Sequence, residues 1–102
     1  MLQKKFLVRS KIIKAVAHPS RLFIIEQLYE SKCSVSKLTE MIGVSMPTVS
    51  RHLSILENAG IINSQKDGAM VYYYLEMRCI IDFFKCAEKV LELQAEKHKE
   101  LK

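Results

Sequence analysis

The sequence predicts a mainly α fold carrying one small β-hairpin, in the order helix, helix, helix, helix, strand, strand, helix. Three observations lead there. Apolar residues recur at helical spacing in five separate segments. Two of those segments are divided by nothing more than Gly43-Val44-Ser45. Ahead of the last segment, helical spacing gives way to two short alternating runs on either side of Asp67-Gly68.

Residues 3–17 hold Phe6, Leu7, Ile12, Ile13, Val16 and Ala17 with lysines between them, a roughly helical spacing. His18-Pro19-Ser20 interrupts it. Proline disfavours the α conformation at the residue before it and suits the first turn of a new helix. A second helix is therefore expected from Pro19 through Leu22, Ile25, Leu28 and Tyr29, ending near Ser31-Lys32-Cys33. Ser34 offers an N-cap for a short helix over 34–42, whose Val35, Leu38 and Ile42 share one side, and Gly43 suits its C-cap. Ser45 caps the next helix, with Pro47 in its first turn, Val49, Leu53 and Leu56 on its buried side, and Gly60 at its end. The hairpin is expected over 61–66 and 69–75, with Asp67-Gly68 as its tight turn. Val71, Tyr73 and Leu75 then face one way, and Met70, Tyr72 and Tyr74 the other. A last helix is expected over 77–97, with Ile80, Phe83, Phe84, Ala87, Val90, Leu91 and Gln94 along it.

At 102 residues, the chain suits a single domain over 1–102 with one modest core. Hydrophobic residues make up 49% and charged residues 26%, which is a folding composition. The net charge of +5 is held by the N-terminal and central parts: Lys4, Lys5, Arg9, Lys11, Lys14 and Arg21 all precede the first acid, Glu26, whereas acids and lysines balance from Asp82 onward. Such a surplus suits nucleic acid or an anionic membrane surface. No apolar run approaches the roughly 20 residues of a membrane span, and the start lacks the apolar core of a signal peptide. The expectation is a cytoplasmic protein without a membrane partner. The three cysteines, Cys33, Cys79 and Cys86, are odd in number and lack CxxC spacing, against a disulfide scaffold or a four-thiolate zinc site. No paired carboxylates, nucleophile–base pair or phosphate loop stand in a catalytic context, so an enzyme is not expected.

Two short helices separated by a glycine turn form a helix-turn-helix pattern. Opposite Val49, Leu53 and Leu56, the second helix presents Pro47, Thr48, Arg51 and Ser54, a small polar face with one arginine. Such a face fits closely into a DNA major groove. Serine and threonine bond phosphates or bases, arginine bonds two guanine acceptors at once, and the positive helix end near Ser45 favours phosphate. The candidate DNA-contacting residues are Ser45, Met46, Thr48, Ser50, Arg51 and His52, joined by Gln65 and Lys66 beside the hairpin tip. A basic hairpin after a helix-turn-helix is the winged arrangement. Rival readings stand beside it: an ordinary packed helix pair with the hairpin as a lid, or a winged module that binds another protein. His52 reads as structural or phosphate-touching, His18 as a helix-end feature, and Tyr72, Tyr73 and Tyr74 as strand residues.

"KAVAHPSRLFIIEQL", "SVSKLTEMIGVSMPTVSRHLSILENAGII" and "KDGAMVYYYL", in that order, resemble the ArsR/SmtB family of winged helix-turn-helix repressors. The resemblance runs from Lys14 to Leu75. It implies a homodimer that binds a palindromic operator in double-stranded DNA and leaves it when a small inducer binds. Recognition would fall on residues 45–52, and the first and last helices would form the dimer interface. The last helix supports this independently. Ile80, Phe83, Phe84, Ala87 and Leu91 span more of its circumference than one small core covers, and an apolar patch that large is seldom left exposed on a monomer.

The resemblance also directs attention to the cysteines. Where family members carry paired thiols before the recognition helix, this chain has Ser34-Val35-Ser36, with Cys33 alone one residue earlier. The family's metal positions on the last helix fall, aligned through "YYYL", on Met77, Cys79, Val90 and Leu93, of which only Cys79 binds metals. His98 reads as a solvated side chain. Cys79 and Cys86 share one face of the expected last helix with Asp82 nearby. At 1.5 Å per residue their Cα atoms stand about 10.5 Å apart, beyond the roughly 7 Å limit for a disulfide. Some family members bind trivalent arsenic through cysteines on this helix, so the resemblance implies trivalent arsenic or another thiophilic ion as inducer, with a third thiolate from Cys33 or a partner chain. Packing as small hydrophobes, and redox or sulfur sensing, stay open beside it, as does a regulator that senses nothing.

Overall fold

The computed structural model describes residues 3–100. Its elements are α1 (Lys4–Val16), α2 (Pro19–Glu30), β1 (Cys33–Ser34), α3 (Val35–Ile42), α4 (Met46–Asn58), β2 (Ile62–Asp67), β3 (Met70–Leu75) and α5 (Ile80–Glu100). Apart from β1, this is the expected order, and it is a winged helix-turn-helix: α3 and α4 are the helix pair, β2 and β3 the wing.

The helix ends form for local reasons. His18 holds an extended backbone and its Nδ1 accepts the Ser20 N–H at 3.1 Å, capping α2, with Pro19 in the first turn. Ser34 Oγ accepts the Lys37 N–H at 3.2 Å and starts α3. Gly43 ends α3 in the left-handed conformation, at φ 82°, which costs glycine nothing and a side-chain-bearing residue roughly 1–2 kcal/mol. Ser45 Oγ then accepts the Thr48 N–H at 3.4 Å and starts α4.

The three strands form one antiparallel sheet in the order β1-β3-β2. Two details differ from the sequence expectation. Asp67 pairs with Met70, so the two-residue turn is Gly68-Ala69 and not Asp67-Gly68. Gly68 has φ 64° while no other residue type among those described takes a positive φ, the pattern of a type II′ turn with glycine first. The register that places Ile62 opposite Leu75, both buried, decides the shift. The second difference is β1. Cys33 and Ser34 pair with Tyr73 and Tyr72, so the link into α3 is itself a short strand, with Ser34 serving also as the N-cap. Two residues carry no periodicity from which a strand could be read.

The core lies where α2, α3 and α4 meet the sheet. Ile24, Ile25, Leu28, Leu38, Val49, Leu53, Leu56, Ile61 and Ile62 are essentially fully buried, with Ala15, Val16, Leu75, Ile80 and Ile81 around them. Each such aliphatic side chain contributes about 1.5–3 kcal/mol of burial free energy. The last helix starts later than expected, at Ile80 rather than Met77. The backbone N–H groups of Glu76 and Met77 both donate to the Ile61 carbonyl, which holds that stretch out of helical geometry. After its first turns α5 leaves the body of the protein: Lys85 to Lys99 are all exposed. The Cα radius of gyration is accordingly 16.4 Å, against about 13 Å for a compact chain of this length. No helix among the described residues is long and apolar enough to cross a membrane.

Candidate nucleic-acid interface

The packing of α4 sets which of its residues face out. Val49, Leu53 and Leu56 are buried, which turns Met46, Pro47, Ser50, Arg51 and Ser54 to solvent. None of these is acidic or aromatic, so the face is slim and its one formal charge is the Arg51 guanidinium. The N-terminal end of α4 opens on the same side, where the positive end of the helix dipole favours an anion; Pro47 has no N–H to offer there, and the Thr48 and Val49 N–H groups already donate to Ser45. Thr48 is half-buried, and its Oγ1 lies 2.8 Å from Ser45 Oγ, so these two hydroxyls first serve the cap. Gln65 and Lys66 are exposed on β2, next to the wing tip.

The wing is anchored to α4. Ser64 Oγ donates to Glu57 Oε2 at 3.2 Å, and Ser64 stands opposite Tyr73 in the sheet. Burial, and then the nearby Glu57 carboxylate, raise the Tyr73 phenol above its ordinary range.

His52 sits on the inner flank of α4, half-buried. Its ring stacks on His18, with centroids 4.5 Å apart and planes tilted by 45°. Burial is the largest cause that pulls its pKa below the ordinary 6.5, followed by the positive charges of His18, Arg21 and Arg51. His52 Nδ1 and Arg21 Nε are buried without a hydrogen-bond partner. His18 stands at a helix end, as expected, but its contact with α4 was not foreseen. No local pattern links residues so far apart in the chain.

The cysteines fall differently from the sequence expectation. Cys79 is not within the last helix but precedes its first residue, its carbonyl accepting from the N–H groups of Asp82 and Phe83. Cys86 lies in the helix. Both are exposed, so neither packs as a small hydrophobe in the core of its own chain. Cys79 lines a cavity of about 210 Å³ with Ile12, Ile13, Val16, Met77, Ile80 and Phe83. Cys33 is half-buried, its thiol 3.6 Å from the Ser31 carbonyl. Among the described residues no three His, Cys, Asp or Glu side chains come together to hold a metal ion. Within one chain, the thiols do not form a three-coordinate arsenic site.

On the expected interface, Ile80 belongs to the chain's own core and Phe84 packs against that core. Phe83, Ala87 and Leu91 are exposed, as is Val90. Phe6, Leu7 and Ile13 of α1 are exposed as well, so both terminal helices present uncovered apolar side chains.

A capped helix pair with a hairpin anchored to the second helix defines the winged helix-turn-helix class. Comparison with known proteins narrows this. Residues 18–64 match the model of the bacterial regulatory protein family arsR. An uncharacterized HTH-type transcriptional regulator of Methanocaldococcus jannaschii is 38% identical over 74 residues, 71% of this chain and 82% of that protein. The chain belongs to the ArsR family. The biofilm growth-associated repressor of Xylella fastidiosa is 32% identical over 66 residues, 65% of this chain but only 58% of the repressor. In fold, the chain is similar to a homodimeric winged helix-turn-helix DNA-binding domain from Mycobacterium bovis, with a TM-score of 0.79, 22% identity, and coverage of 96% of this chain and 94% of that one.

Proposed function

We propose that this protein is a homodimeric transcriptional repressor that binds a palindromic operator in double-stranded DNA. The exposed face of α4 carries the reading: it is slim, free of acids, centred on Arg51, and held beside a wing that carries Gln65 and Lys66 near its tip. Met46, Ser50 and Arg51 meet base edges, Ser45 and Thr48 lie against the phosphate side, His52 supports α4 from behind through its stack on His18, and the wing residues reach the neighbouring backbone. The ArsR membership and the repressor relative support the assignment.

Pairing through α1 and α5 is supported by the apolar side chains these helices leave uncovered, Phe6, Leu7, Phe83 and Leu91 among them. A two-fold dimer places two copies of α4 about one DNA turn apart, the spacing that a palindrome matches. Release by an inducer, whether trivalent arsenic, another thiophilic ion or a thiol-reactive compound, works through Cys79 and Cys86. Both thiols are exposed at the helix proposed as the seam. A ligand bridging thiols across two chains changes the angle between the halves and hence the operator affinity.

The test is fluorescence anisotropy with a duplex selected by the protein from a randomised pool. Nanomolar, strongly salt-dependent binding with a symmetric selected sequence is expected. Failure to enrich any sequence would sink the assignment. A Cys79→Ser, Cys86→Ser double variant should bind the same duplex and lose release by arsenite or persulfide. Release as in the parent would remove the thiols from the mechanism.

A further inference from the structure

The recognition helix rests on a histidine pair whose two members are committed in different ways. His18 Nδ1 accepts the Ser20 N–H at 3.1 Å and so holds the start of α2. An accepting Nδ1 bears no proton, so this cap exists only with His18 neutral and its proton on Nε2. The same ring stacks on His52 of α4, centroid to centroid at 4.5 Å. His52 is next in sequence to Arg51, the cationic centre of the DNA-facing surface. A single side chain thus touches both the N-terminus of α2 and the helix proposed to enter the groove.

The surroundings favour the neutral form of His52. Arg21 comes from α2 and Arg51 from α4, and His18 is the third group whose positive charge acts on His52. Among the described residues no carboxylate acts on His52. His52 Nδ1 is buried without a partner, so the ring is held by packing rather than by a hydrogen bond at that nitrogen. Protonating His18 turns its accepting nitrogen into a donor aimed at the Ser20 N–H, which breaks the cap. Protonating both rings sets two like charges 4.5 Å apart between two arginines. A metal-binding role for the pair has no support, because His18 Nδ1 is already occupied and no third donor joins the two rings among the described residues.

We propose that His18 is a positioning residue for DNA recognition: as a neutral imidazole it caps α2 and, by stacking on His52, sets the seat of α4 and the direction of Arg51. This rests on the DNA-binding reading. Its consequence is a repressor that loosens its hold on DNA as the pH falls through the histidine range, with no ligand required. That direction opposes the ordinary one for a DNA-binding histidine, whose protonation adds a phosphate contact and tightens binding.

The distinguishing variant is His18→Asn. Asparagine keeps an oxygen that caps α2 and removes the ring that supports His52. The parent should lose affinity for its selected duplex between pH 8 and pH 6. His18→Asn should bind about two- to tenfold more weakly at pH 8, the scale of one aromatic pair, keep a cooperative unfolding transition, and show a flatter pH profile. Affinity and profile equal to the parent's would overturn the proposal, as would a parent that binds more tightly on acidification. A readout without DNA keeps this separate from the DNA-binding assignment. By NMR, the His52 imidazole of the free protein should titrate below the ordinary range and move up in His18→Asn. An unmoved midpoint would overturn the coupling even if a duplex is bound, and a moved one would support it even if none is.

Discussion

Ser64 donates its hydroxyl proton to the Glu57 carboxylate at 3.2 Å, tying the start of the wing to the last turn of α4. Two surfaces proposed to touch the same DNA are thereby held at one angle. Ser64→Ala should cost about 1.5 kcal/mol of stability, the low end of the range for a hydrogen bond to a charged group because this one is only partly buried, and should loosen the wing. Urea unfolding measures the first and amide exchange in β2 the second. A stability change below a few tenths of a kcal/mol would mean that the bond is not maintained in solution.

The turn between the paired helices depends on backbone geometry, not space. Gly43 has φ +82° and a Cβ placed on it would meet nothing within 4 Å. Gly43→Ala should therefore destabilise by about 1 kcal/mol through the left-handed backbone alone, and Gly43→Asn by less. A neutral or stabilising alanine in thermal unfolding would show that the turn relaxes into another conformation.

Much of this architecture is legible in the residues because its causes are local. Ser34, Gly43, Ser45 and Pro47 mark the ends of α3 and α4, and the spacing of Val49, Leu53 and Leu56 decides which face of α4 is left exposed. What escaped depends on distant partners. The turn at Gly68-Ala69 instead of Asp67-Gly68 follows from pairing Ile62 with Leu75, and either dipeptide alone would serve as a turn. The late start of α5 follows from two hydrogen bonds to the Ile61 carbonyl. β1 exists only because Tyr72 and Tyr73 stand beside it. The contact of His18 with His52 has no sequence signature at all.

The depressed His52 pKa has a stability consequence. The unfolded chain takes up this proton near pH 6.5 and the folded chain resists it, so the unfolded state binds more protons below that value. The stabilisation is present above pH 6.5 and is lost as the pH falls through the lower, folded-state value. The urea midpoint should fall between pH 7.5 and pH 5.5, and the fall should be smaller in His52→Phe. An identical pH dependence in the variant would assign the loss to other groups.

Arg51 and Lys66 should fail in different ways. Arg51→Ala should weaken binding to the selected duplex by about 1–3 kcal/mol and relax its sequence preference, as expected for a bidentate base contact. Lys66→Ala should weaken selected and random duplexes alike and reduce the salt slope by about 1. Reversed behaviour in competition assays would exchange the roles of helix and wing.

Leu91 is 65% exposed on a helix with few contacts to its own chain. Leu91→Glu should convert a dimer to a monomer, since a charge in an apolar seam lacks a partner. Sedimentation at micromolar concentration reads this directly. An unchanged dimer would move the seam away from this part of α5.

The projecting part of α5 also bears on how the chain acquires its final shape. Lys85 to Lys99 have no interior of their own to rest against, and an isolated helix of about 12–15 residues is marginal in water. In the proposed dimer this segment gains its order where the partner chain meets it. Backbone ordering and subunit encounter then become one event, so the far-ultraviolet ellipticity of this protein should decline on dilution while the α2–α4 body stays folded. The helical content of the projecting part of α5 becomes a gauge of how much protein is present.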